Sequence, residues 1–573
     1  MKDKKIIILS IVGVLLLVSI VVATSYAYFV ANVSGNKDTN NVVVTNGVMA
    51  LEYKDGDEIT LANAVPGNSV TKTFTVKNTG NVSTNYTIYF SELSNKFVDK
   101  TDLVYTLTSS DGGKSVAQTQ VPDSNEAMVS NYAIDAGKTH TYTLTITFLD
   151  KDENQDDNQG VSFSTKVSIN ETKEYVEPLD IDVELAQGMI PVKFNASGNA
   201  VVADTNSKWY DYSNHEWANA VLVNCADSAI KSKYFDSNNK VLASAVGKTI
   251  SMDEIMQMYV YIPRYKYQLF NAEDGKIVEQ AINITFESKT TAKSNGTKNG
   301  EWLTHPAFTF GDKELAGIWV GKFETSNTSA LPKIVPNVSS LRSMNISDQF
   351  NTSRLMTTTL VSTYGTSTND DSHMMKNMEW GAVAYLSSSV YGRYTNASTC
   401  IESGCEAWAN SNEDYTTGCA GSNVNAYSTS TCNAWNTATG VNASTTGNIY
   451  GIYDMSGGAY EYVMGNYKDT IDRAGFSSMP QAKYYDKYTG IDSNDDFAKY
   501  HLGDATKETL KPALSSNQKG WYKDYSYSVY SYLPWVVRGG INAGGSGTGV
   551  FTFHNGNGLS GSSWSFRVVL GAL

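Results

Sequence analysis

The sequence predicts a multidomain protein in which an all-β sandwich is followed by a larger α+β domain. The first observation is the alternation of apolar and polar residues between about positions 42 and 170. The second is an ordered series of short motifs from Tyr259 to the C-terminal region. The third is the composition: the 573 residues include 36 Tyr and 45 Gly, and only 18% are charged. This length suits two to four domains, and the composition favours an extracellular, loop-rich β protein.

Residues 1–27 are predicted to be a signal peptide or an N-terminal membrane anchor. Lysines within the first five residues precede 18 uncharged residues at positions 6–23. Such a stretch is just long enough to span a bilayer, so cleavage and retention both stay open. Ser25 and Ala27 place small residues at the −3 and −1 positions of a cut before Tyr28. This arrangement favours cleavage.

Residues 28–172 are predicted to form an immunoglobulin-like β-sandwich. In the segment 142–148 every second residue is apolar and threonines lie between them, and the segments 86–90 and 161–169 behave similarly. Alternation with a period of two is the pattern of a half-buried strand. Six or seven such strands, separated by turn signals such as the Pro-Gly-Asn at 66–68, favour an antiparallel sandwich.

The same region resembles the camelysin-like secreted and biofilm-fibre proteins of Gram-positive bacteria. The matching residues are SYAYF at 25–29, PGNSVTKTFTVKNTG at 66–80 and the hairpin ending in the Asn-Gln-Gly at 158–160. The resemblance covers roughly residues 24–172 and implies a secreted sandwich domain. Camelysin-like relatives include metalloproteases. A zinc protease is not expected here, because the His-Glu-x-x-His motif is absent and His140 is the one histidine of this domain.

One hairpin of the sandwich offers a candidate calcium loop. Asp150, Asp152, Asn154 and Asp156 alternate as in the first half of a calcium-binding loop. Calcium takes oxygen ligands at such a spacing. The glycine at the sixth position and the terminal glutamate of that loop are missing. A solvated acidic hairpin tip is therefore favoured, and calcium is the one cofactor that stays open.

An acidic segment at 173–187 is predicted to be a linker to a second domain at 188–573. This domain contains five motifs in a fixed order. They are KFE at 322–324, KNMEWGAVAYL at 376–386, GIYDMSGGAYEY at 451–462, RGGIN at 538–542 and SFRVVL at 565–570. The second motif has helical spacing, with Asn377 as the expected cap. The order resembles the formylglycine-generating-enzyme family, also called sulfatase-modifying factors, a large version of the C-type lectin fold.

The resemblance implies a lectin-like fold, but the residues that carry the family's chemistry are missing. The copper-dependent oxidases of the family use a Cys pair shortly after the Arg-Gly-Gly block, and no Cys follows Arg538. The sulfoxide-synthase relatives use three His ligands, including a His-x-x-x-His-x-Glu run that is also absent. The domain is therefore expected not to be an enzyme. Asn448, Asp454 and Glu461 are candidate calcium ligands, although hydrogen bonding to buried loop backbone is favoured.

Cys400, Cys405, Cys419 and Cys432 lie in one insertion at 395–435 that is rich in Ser, Asn and Thr. Four closely spaced cysteines in a secreted protein predict two disulfides. Of the three pairings, Cys400–Cys405 with Cys419–Cys432 is favoured. A zinc site is the alternative, but these spacings match no common zinc finger.

The C-terminal stretch at 535–573 is predicted to present a binding surface. It resembles the variable region of the variable proteins of diversity-generating retroelements, which are non-enzymatic members of this fold. Such surfaces combine adaptable hydrogen bonding with a few rigid anchors, as antibody paratopes do. An ordinary terminal hairpin is the alternative. The resemblance implies that the frame is held by Gly539, Gly540, Gly544, Gly549 and Phe551. It implies exposed, ligand-binding side chains at Ile541, Asn542, Ser546, Thr548, Thr552, His554, Asn555, Asn557, Ser560, Ser562, Ser563 and Trp564.

The sequence thus predicts a secreted or N-terminally anchored ligand-binding protein on the surface of a Gram-positive-type bacterium. The expected partner is a protein or glycan on a cell or phage surface. Nucleic acid is not expected, because a net charge of −14 leaves no basic footprint. Membrane contact is expected only through residues 6–23, if they are not cleaved. The alternatives are a divergent formylglycine-generating oxidase and a structural subunit of an extracellular fibre.

Overall fold

The computed structural model divides the chain into two compact units, Met1–Glu177 and Pro178–Leu573. The predicted signal or anchor at 1–27 lies outside the residues that the structure describes. In the described part, no helix is long and apolar enough to cross a membrane. The described residues are 31–35, 41–44, 47–54, 65–79, 84–123, 126–151, 153–158, 163–172, 181, 183–207, 209–272, 279–394, 405–511 and 518–572.

The first unit contains two β-sheets. Its strands are β1 (Ala31–Gly35), β2 (Asn41–Val44), β3 (Gly47–Lys54), β4 (Ser69–Asn78), β5 (Thr84–Asn95), β6 (Leu103–Ser109), β7 (Val116–Gln120), β8 (Glu126–Ile134), β9 (Thr139–Phe148) and β10 (Phe163–Thr172). One sheet has the order β1-β10-β5-β8, and the other has the order β2-β3-β4-β9-β6-β7. The structure has more strands than the six or seven predicted. An edge strand such as β7 is exposed at nearly every position and therefore carries no alternation.

Strand β9 shows how the sequence pattern builds the core of this unit. Tyr142, Leu144 and Ile146 are fully buried, whereas the threonines between them are half-buried. The strand pairs with β4 on one side and with β6 on the other, so it lies inside its sheet. Apolar side chains from both sheets share one core. Burying a side chain such as Leu144 contributes about 1.5–3 kcal/mol. The predicted in–out alternation is confirmed.

The second unit combines further sheets with four short α-helices in its described residues. Its strands are β11 (Ile190–Phe194), β12 (Ala200–Val202), β13 (Asn219–Val223), β14 (Ile255–Pro263), β15 (Tyr265–Gln268), β16 (Ile284–Phe286), β17 (Trp302–Thr304), β18 (Thr309–Phe310), β19 (Lys313–Glu314), β20 (Gly317–Gly321), β21 (Ser326–Thr328), β22 (Leu331–Lys333), β23 (Asp371–Met374), β24 (Cys419–Ala420), β25 (Asn433–Ala434), β26 (Tyr460–Tyr467), β27 (Asp486–Tyr488), β28 (Trp535–Arg538), β29 (Phe553–Gly556), β30 (Trp564–Phe566) and β31 (Val568–Gly571). The helices are α1 (Ser228–Tyr234), α2 (Ile346–Arg354), α3 (Val361–Tyr364) and α4 (Asn377–Ser387). The chain is therefore β-rich and multidomain, as predicted.

Two sheets organise the second unit. The larger has seven strands in the order β12-β11-β13-β14-β20-β31-β23. In the other, β26 pairs with β27, β28 and β30, and β29 extends the sheet beyond β28. A three-stranded sheet has the order β16-β15-β17. Short 3-10 helices lie in the loops at Tyr212–Asn214, Ala243–Ala245, Pro306–Phe308, Leu355–Thr357, Gly440–Ala443, Ala482–Tyr484, Phe497–Lys499, Lys507–Thr509, Trp521–Lys523 and Gly545–Gly547.

Helix α4 is buried along its whole length. Its N-cap is Lys376, so the predicted cap at Asn377 is wrong by one residue. The side chain of Glu379 accepts a hydrogen bond from the Lys376 amide at 2.8 Å, which closes the first turn. Asn377 is occupied elsewhere, because its Nδ2 donates to the Tyr488 hydroxyl at 2.8 Å. A helix buried on all sides shows no single apolar stripe in the sequence.

The predicted linker extends too far toward the second unit. Ile181 and Ala186 are buried in the core of that unit. The indole nitrogen of Trp319, on β20, donates to the Glu184 carbonyl at 2.8 Å. Residues 181 and 183–187 therefore belong to the second unit. Their acidic composition conceals this, because apolar side chains between the acidic residues make the core contacts: Ile181, Val183, Leu185 and Ala186.

Candidate functional site

The C-terminal stretch is held by both large sheets of the second unit. Strands β28 and β30 pair with β26, antiparallel and parallel respectively. Strand β31 lies between β20 and β23 in the seven-stranded sheet. The loop residues between Arg538 and Trp564 are therefore anchored at both ends by strands inside the unit. Such a rigid frame is what a binding loop requires.

Arg538 fixes the start of this stretch. Its guanidinium is fully buried and donates to the Asn377 side-chain oxygen at 3.2 Å. It also donates to the backbone carbonyls of Ala505 at 3.1 Å and Val550 at 3.4 Å. Because Arg538 ends β28 and Val550 lies in the loop that follows, this contact holds the loop against the end of the strand. Arg538 therefore has a structural role at the start of the C-terminal stretch.

Arg567 fixes the other end and lies among three buried carboxylates, those of Glu324, Asp454 and Glu461. Its Nη2 donates to the Tyr453 carbonyl at 3.0 Å, and its Nε donates to Glu461 at 3.1 Å. Burial raises the pKa of Glu461 to about 7, although the charge of Arg567 opposes this shift. Burial, with the charges of Asp454 and Glu461, raises the pKa of Glu324 well above its usual range.

The frame glycines predicted from the sequence lie where a side chain would not fit. A Cβ atom added at Gly540 would lie 2.8 Å from the Thr548 side chain, and at Gly544 it would also meet Thr548. At Gly549 an added Cβ would meet the carboxylate of Asp524. Gly539 and Gly540 also have positive φ angles, 79° and 75°. A side chain at these positions would be crowded or strained, as expected for glycines that hold a tight loop.

The twelve predicted ligand-binding positions do not all reach the surface. The exposed side chains are Ser560 and Ser562. The half-buried side chains are Ile541, Ser546, His554, Asn557, Ser563 and Trp564. The predicted exposure is wrong for the other four, which are buried: Asn542, Thr548, Thr552 and Asn555.

These four buried side chains hydrogen-bond to loop backbone. Thr552 Oγ1 donates to the Gly547 carbonyl at 2.9 Å and accepts from the Gly549 amide at 3.0 Å. Asn555 Nδ2 donates to the Ser528 carbonyl at 2.7 Å. The other two likewise donate to backbone carbonyls. A glycine-rich loop has few side chains to cover its backbone, so its Thr and Asn residues satisfy the buried polar groups.

A row of half-buried aromatic rings covers the loop and its surroundings. Tyr460 stacks on Trp564 with ring centroids 5.1 Å apart, and its ring lies 6.0 Å from that of His554. The row continues from His554 to Tyr527 at 4.5 Å and from Tyr527 to Tyr525 at 6.2 Å. We call the following set the aromatic face: Tyr415, Tyr460, Tyr525, Tyr527, His554 and Trp564.

Tyr415 joins this face through the C-terminal loop. Its hydroxyl lies 3.2 Å from the Ser563 Oγ, and the Arg342 guanidinium lies 4.1 Å above its ring. Burial lowers the pKa of His554 below its usual value, although its hydrogen bond to the Asn555 carbonyl opposes this shift. The four tyrosines of the face were not predicted from the sequence. The abundance of Tyr in the segment 522–532 was the available signal for Tyr525 and Tyr527, and no such signal marked Tyr415 or Tyr460. Only the tertiary fold brings these residues to the C-terminal loop.

The disulfide prediction is confirmed for one pair. Cys419 and Cys432 form a disulfide with Cα atoms 5.0 Å apart. Cys405 is also disulfide-bonded. Cys400 lies outside the described residues. Cys225 is a buried free thiol.

The candidate calcium ligands of the second unit are engaged in hydrogen bonds. Asp454 accepts from the Asn410 side chain at 2.8 Å and from the Gly418 amide at 2.9 and 3.0 Å. Asn448 Oδ1 accepts from the Tyr450 amide at 2.8 Å. Asp454 and Asn448 thus accept from loop amides as the favoured explanation requires, whereas Glu461 pairs with the Arg567 side chain. In the described ranges, no group of three or more His, Cys, Asp or Glu residues is arranged to hold a metal ion.

The candidate calcium loop of the sandwich is described only in part. Asp152 lies outside the described residues. The Asn154 side-chain oxygen accepts from the Asp156 amide at 2.9 Å, at the start of the 3-10 helix Asp156–Asn158. Another 3-10 helix of this unit, Lys100–Asp102, lies just before β6. Calcium binding at this hairpin stays a prediction.

Comparison with known proteins assigns no family. No family model and no curated protein matches the chain. One similar solved structure is that of a macrocyclisation enzyme, described as "AvmM Catalyzes Macrocyclization in Alchivemycin A Biosynthesis". It is 10% identical, covers 24% of this chain and 94% of its own, and has a TM-score of 0.11. At that score the likeness carries no argument about fold or function.

Proposed function

We propose that this chain is a cell-surface recognition protein whose second unit binds its ligand through the aromatic face. The observation that carries the proposal is the continuous row of half-buried rings on a frame fixed by Arg538 and Arg567. Tyrosine and tryptophan supply large contact areas at a low cost in conformational entropy. Serine and asparagine between them supply adaptable hydrogen bonds. The second unit is then a C-type lectin-like head, and the first unit is an immunoglobulin-like sandwich that links it to the cell surface.

Two features favour binding over catalysis. No cysteine follows the Arg-Gly-Gly block at 538–540, where the oxidases of the resembled family carry their reactive pair. The histidines of the second unit are dispersed among separate tasks: His373 lies between Asp371 and Glu379, whereas His305 hydrogen-bonds to the Gly503 carbonyl. Stoichiometric copper together with oxidative turnover of a cysteine peptide would contradict the proposal.

The binding test uses the full chain and two probes, a displayed random-peptide library and a panel of neutral oligosaccharides. Ligands retained by the wild type are then measured on Tyr460→Ala and Trp564→Ala. Both variants should weaken binding about tenfold or more, as truncation of an aromatic anchor does. The matched control is Tyr532→Ala, because Tyr532 is 77% exposed and lies outside the aromatic face. Binding that is equal in all four proteins would contradict the proposed function.

Diversification of the head is a second question, and sequencing many copies of the locus tests it. Under the proposal, substitutions concentrate at the exposed and half-buried loop positions, such as Ser546, Ser563 and Trp564. The buried positions Thr552 and Asn555 stay constant together with the frame. An even spread of substitutions over all twelve positions would count against a diversified binding surface.

A further inference from the structure

We infer that the binding face continues onto the loop closed by the Cys419–Cys432 disulfide, with Tyr427 as a further ligand-contacting residue. We also infer that the ligand is a polypeptide surface. This inference rests on the proposed function. The loop lies more than a hundred residues before the C-terminal stretch in sequence, and the resemblance that predicted the stretch assigns it no role in binding.

Tyr427 is an exposed aromatic side chain next to the predicted loop. Its side chain is 70% exposed. A Cβ atom added at Gly545 would lie 2.5 Å from the Cζ atom of the Tyr427 ring. The ring therefore rests on the backbone of the C-terminal loop and presents the rest of its surface to solvent. An exposed ring held in place in this way is a candidate anchor for a partner.

The contact connects Tyr427 to the rest of the aromatic face. Gly545 begins the 3-10 helix Gly545–Gly547. A Cβ atom added at Gly547 would collide with the ring of Tyr525, which belongs to the face. Tyr427 thus contacts the first residue of this short helix, and Tyr525 contacts the third. Tyr427 is therefore linked to the aromatic face through the backbone of this helix.

The disulfide loop is held firmly enough to position Tyr427. At its base, β24 pairs with β25, with Cys419 opposite Ala434. Before Cys432, the backbone amide of Thr429 donates to the Ser411 carbonyl at 2.9 Å. The Thr429 carbonyl accepts from the Glu413 amide, also at 2.9 Å. These contacts and the disulfide limit the conformations of the loop before it binds. Pre-organisation of this kind reduces the entropy lost on binding.

The chemistry of the extended face favours a polypeptide ligand. Residues 541–564 contain no Asp, Glu, Lys or Arg, although the chain carries a net charge of −14. A strongly charged polymer would find no complementary charges there. The aromatic face consists of four tyrosines, one histidine and one tryptophan, and Arg342 stacks on Tyr415. Tyr, Trp and Arg are the residue types most enriched at the energetic centres of protein–protein interfaces.

The test measures the affinity of peptides selected on the full wild-type chain from a displayed random library. Tyr427→Ala should weaken them about tenfold or more, whereas Tyr532→Ala should leave them unchanged. The double variant Cys419→Ser/Cys432→Ser should weaken them as well. Adding Tyr427→Ala to that double variant should cause little further loss, because both changes remove the same positioned ring. Near-ultraviolet circular dichroism confirms that each variant remains folded.

Each alternative outcome identifies what fails. Peptides that are lost on Tyr460→Ala but retained in full on Tyr427→Ala would overturn the inference and leave the proposed function in place. Oligosaccharides that bind through the face when no peptide does would overturn the assignment of a polypeptide ligand. Ligands insensitive to changes at Tyr427, Tyr460 and Trp564 alike would overturn the inference and the proposed function together.

Discussion

Arg567 and Glu461 form an ion pair in which both side chains are fully buried, with the arginine Nε 3.1 Å from a carboxylate oxygen. Glu461 lies on β26, and Arg567 separates β30 from β31. Arg567 also donates to the Gly321 carbonyl of β20 at 2.8 Å. The pair therefore joins the two principal sheets of the second unit at the base of the proposed binding surface.

Removal of one partner of this pair should destabilise the second unit. Arg567→Met leaves Glu461 buried without its counter-ion, and the free energy of unfolding should fall by about 3–5 kcal/mol. The loss should be smaller at low pH, because Glu461, whose pKa is raised to about 7, takes up a proton there. Urea denaturation followed by Trp fluorescence measures both effects.

The control for this prediction is an ion pair at the surface. Lys487 and Asp469 have side chains that are 49% and 37% exposed. Lys487→Met should cost less than about 1 kcal/mol. Equal losses in the two variants would show that the buried pair has no special structural role.

A comparison of two glycines separates backbone strain from crowding. Gly540 and Gly247 both have positive φ angles, 75° and 80°. A Cβ atom at Gly247 would meet nothing within 4 Å, whereas at Gly540 it would lie 2.8 Å from the Thr548 side chain. Gly540→Ala should therefore destabilise the protein by about 1–3 kcal/mol more than Gly247→Ala does. Urea denaturation of the two variants measures this difference. Equal denaturation midpoints for Gly540→Ala and Gly247→Ala would contradict the tight packing of the loop.

The pH dependence of stability should contain a contribution from His373. Burial lowers the pKa of this imidazole, but Glu379 and Asp371 outweigh burial and raise it from 6.5 to about 9. The folded protein thus binds this proton more tightly than the unfolded chain does. The resulting stabilisation is complete below pH 6.5 and is lost as the pH rises through about 9.

The measurement is the melting temperature of the wild type and of His373→Gln between about pH 6 and pH 9.5. The difference between the two proteins should shrink as the pH increases. A constant difference over this range would mean that folding does not raise the pKa of His373. Burial also raises the pKa of Asp524 and of Glu508 to about 7. Both proteins share these groups, so their effect cancels in the comparison.

Positions within the C-terminal loop should differ sharply in their tolerance of substitution. Thr552→Val removes a buried hydroxyl that bonds Gly547 and Gly549, and it should cost about 1–3 kcal/mol. Ser560→Ala, at an exposed position, should change stability by no more than about 0.5 kcal/mol. Thermal unfolding of both variants tests the division. If Thr552→Val left the stability unchanged, the Thr552 hydroxyl would not be needed to hold the loop backbone.

The sequence was most informative where a short-range pattern of apolar residues matches the residues that are buried in the fold. Alternation identified the core strand β9, and Phe551, which the sequence places in the frame of the C-terminal stretch, is fully buried. The sequence also favoured the pairing of Cys419 with Cys432, one of three pairings that it left open for the four cysteines of the insertion, and the structure contains this disulfide. These features depend on residues that are near one another in the chain.

The sequence was least informative where partners are distant in the chain. The burial of Asn542 follows from its hydrogen bond to the Asn412 carbonyl at 2.9 Å, across 130 residues of sequence. Tyr460 and Tyr525 join the aromatic face only because β26 and the loop before β28 bring them there. Polar residues in a glycine-rich stretch look alike in sequence whether they serve the backbone or a ligand.

The position of β31 also has a consequence for how the protein is made. This strand separates β20 from β23 in the seven-stranded sheet, yet it is synthesised after every other strand of that sheet. Until residues 568–571 leave the ribosome, β20 lacks its neighbour on that side and β23 has no strand to join. The second unit must therefore wait for β31 before it can complete its folding, and a copy truncated before this strand would leave the seven-stranded sheet unfinished between β20 and β23.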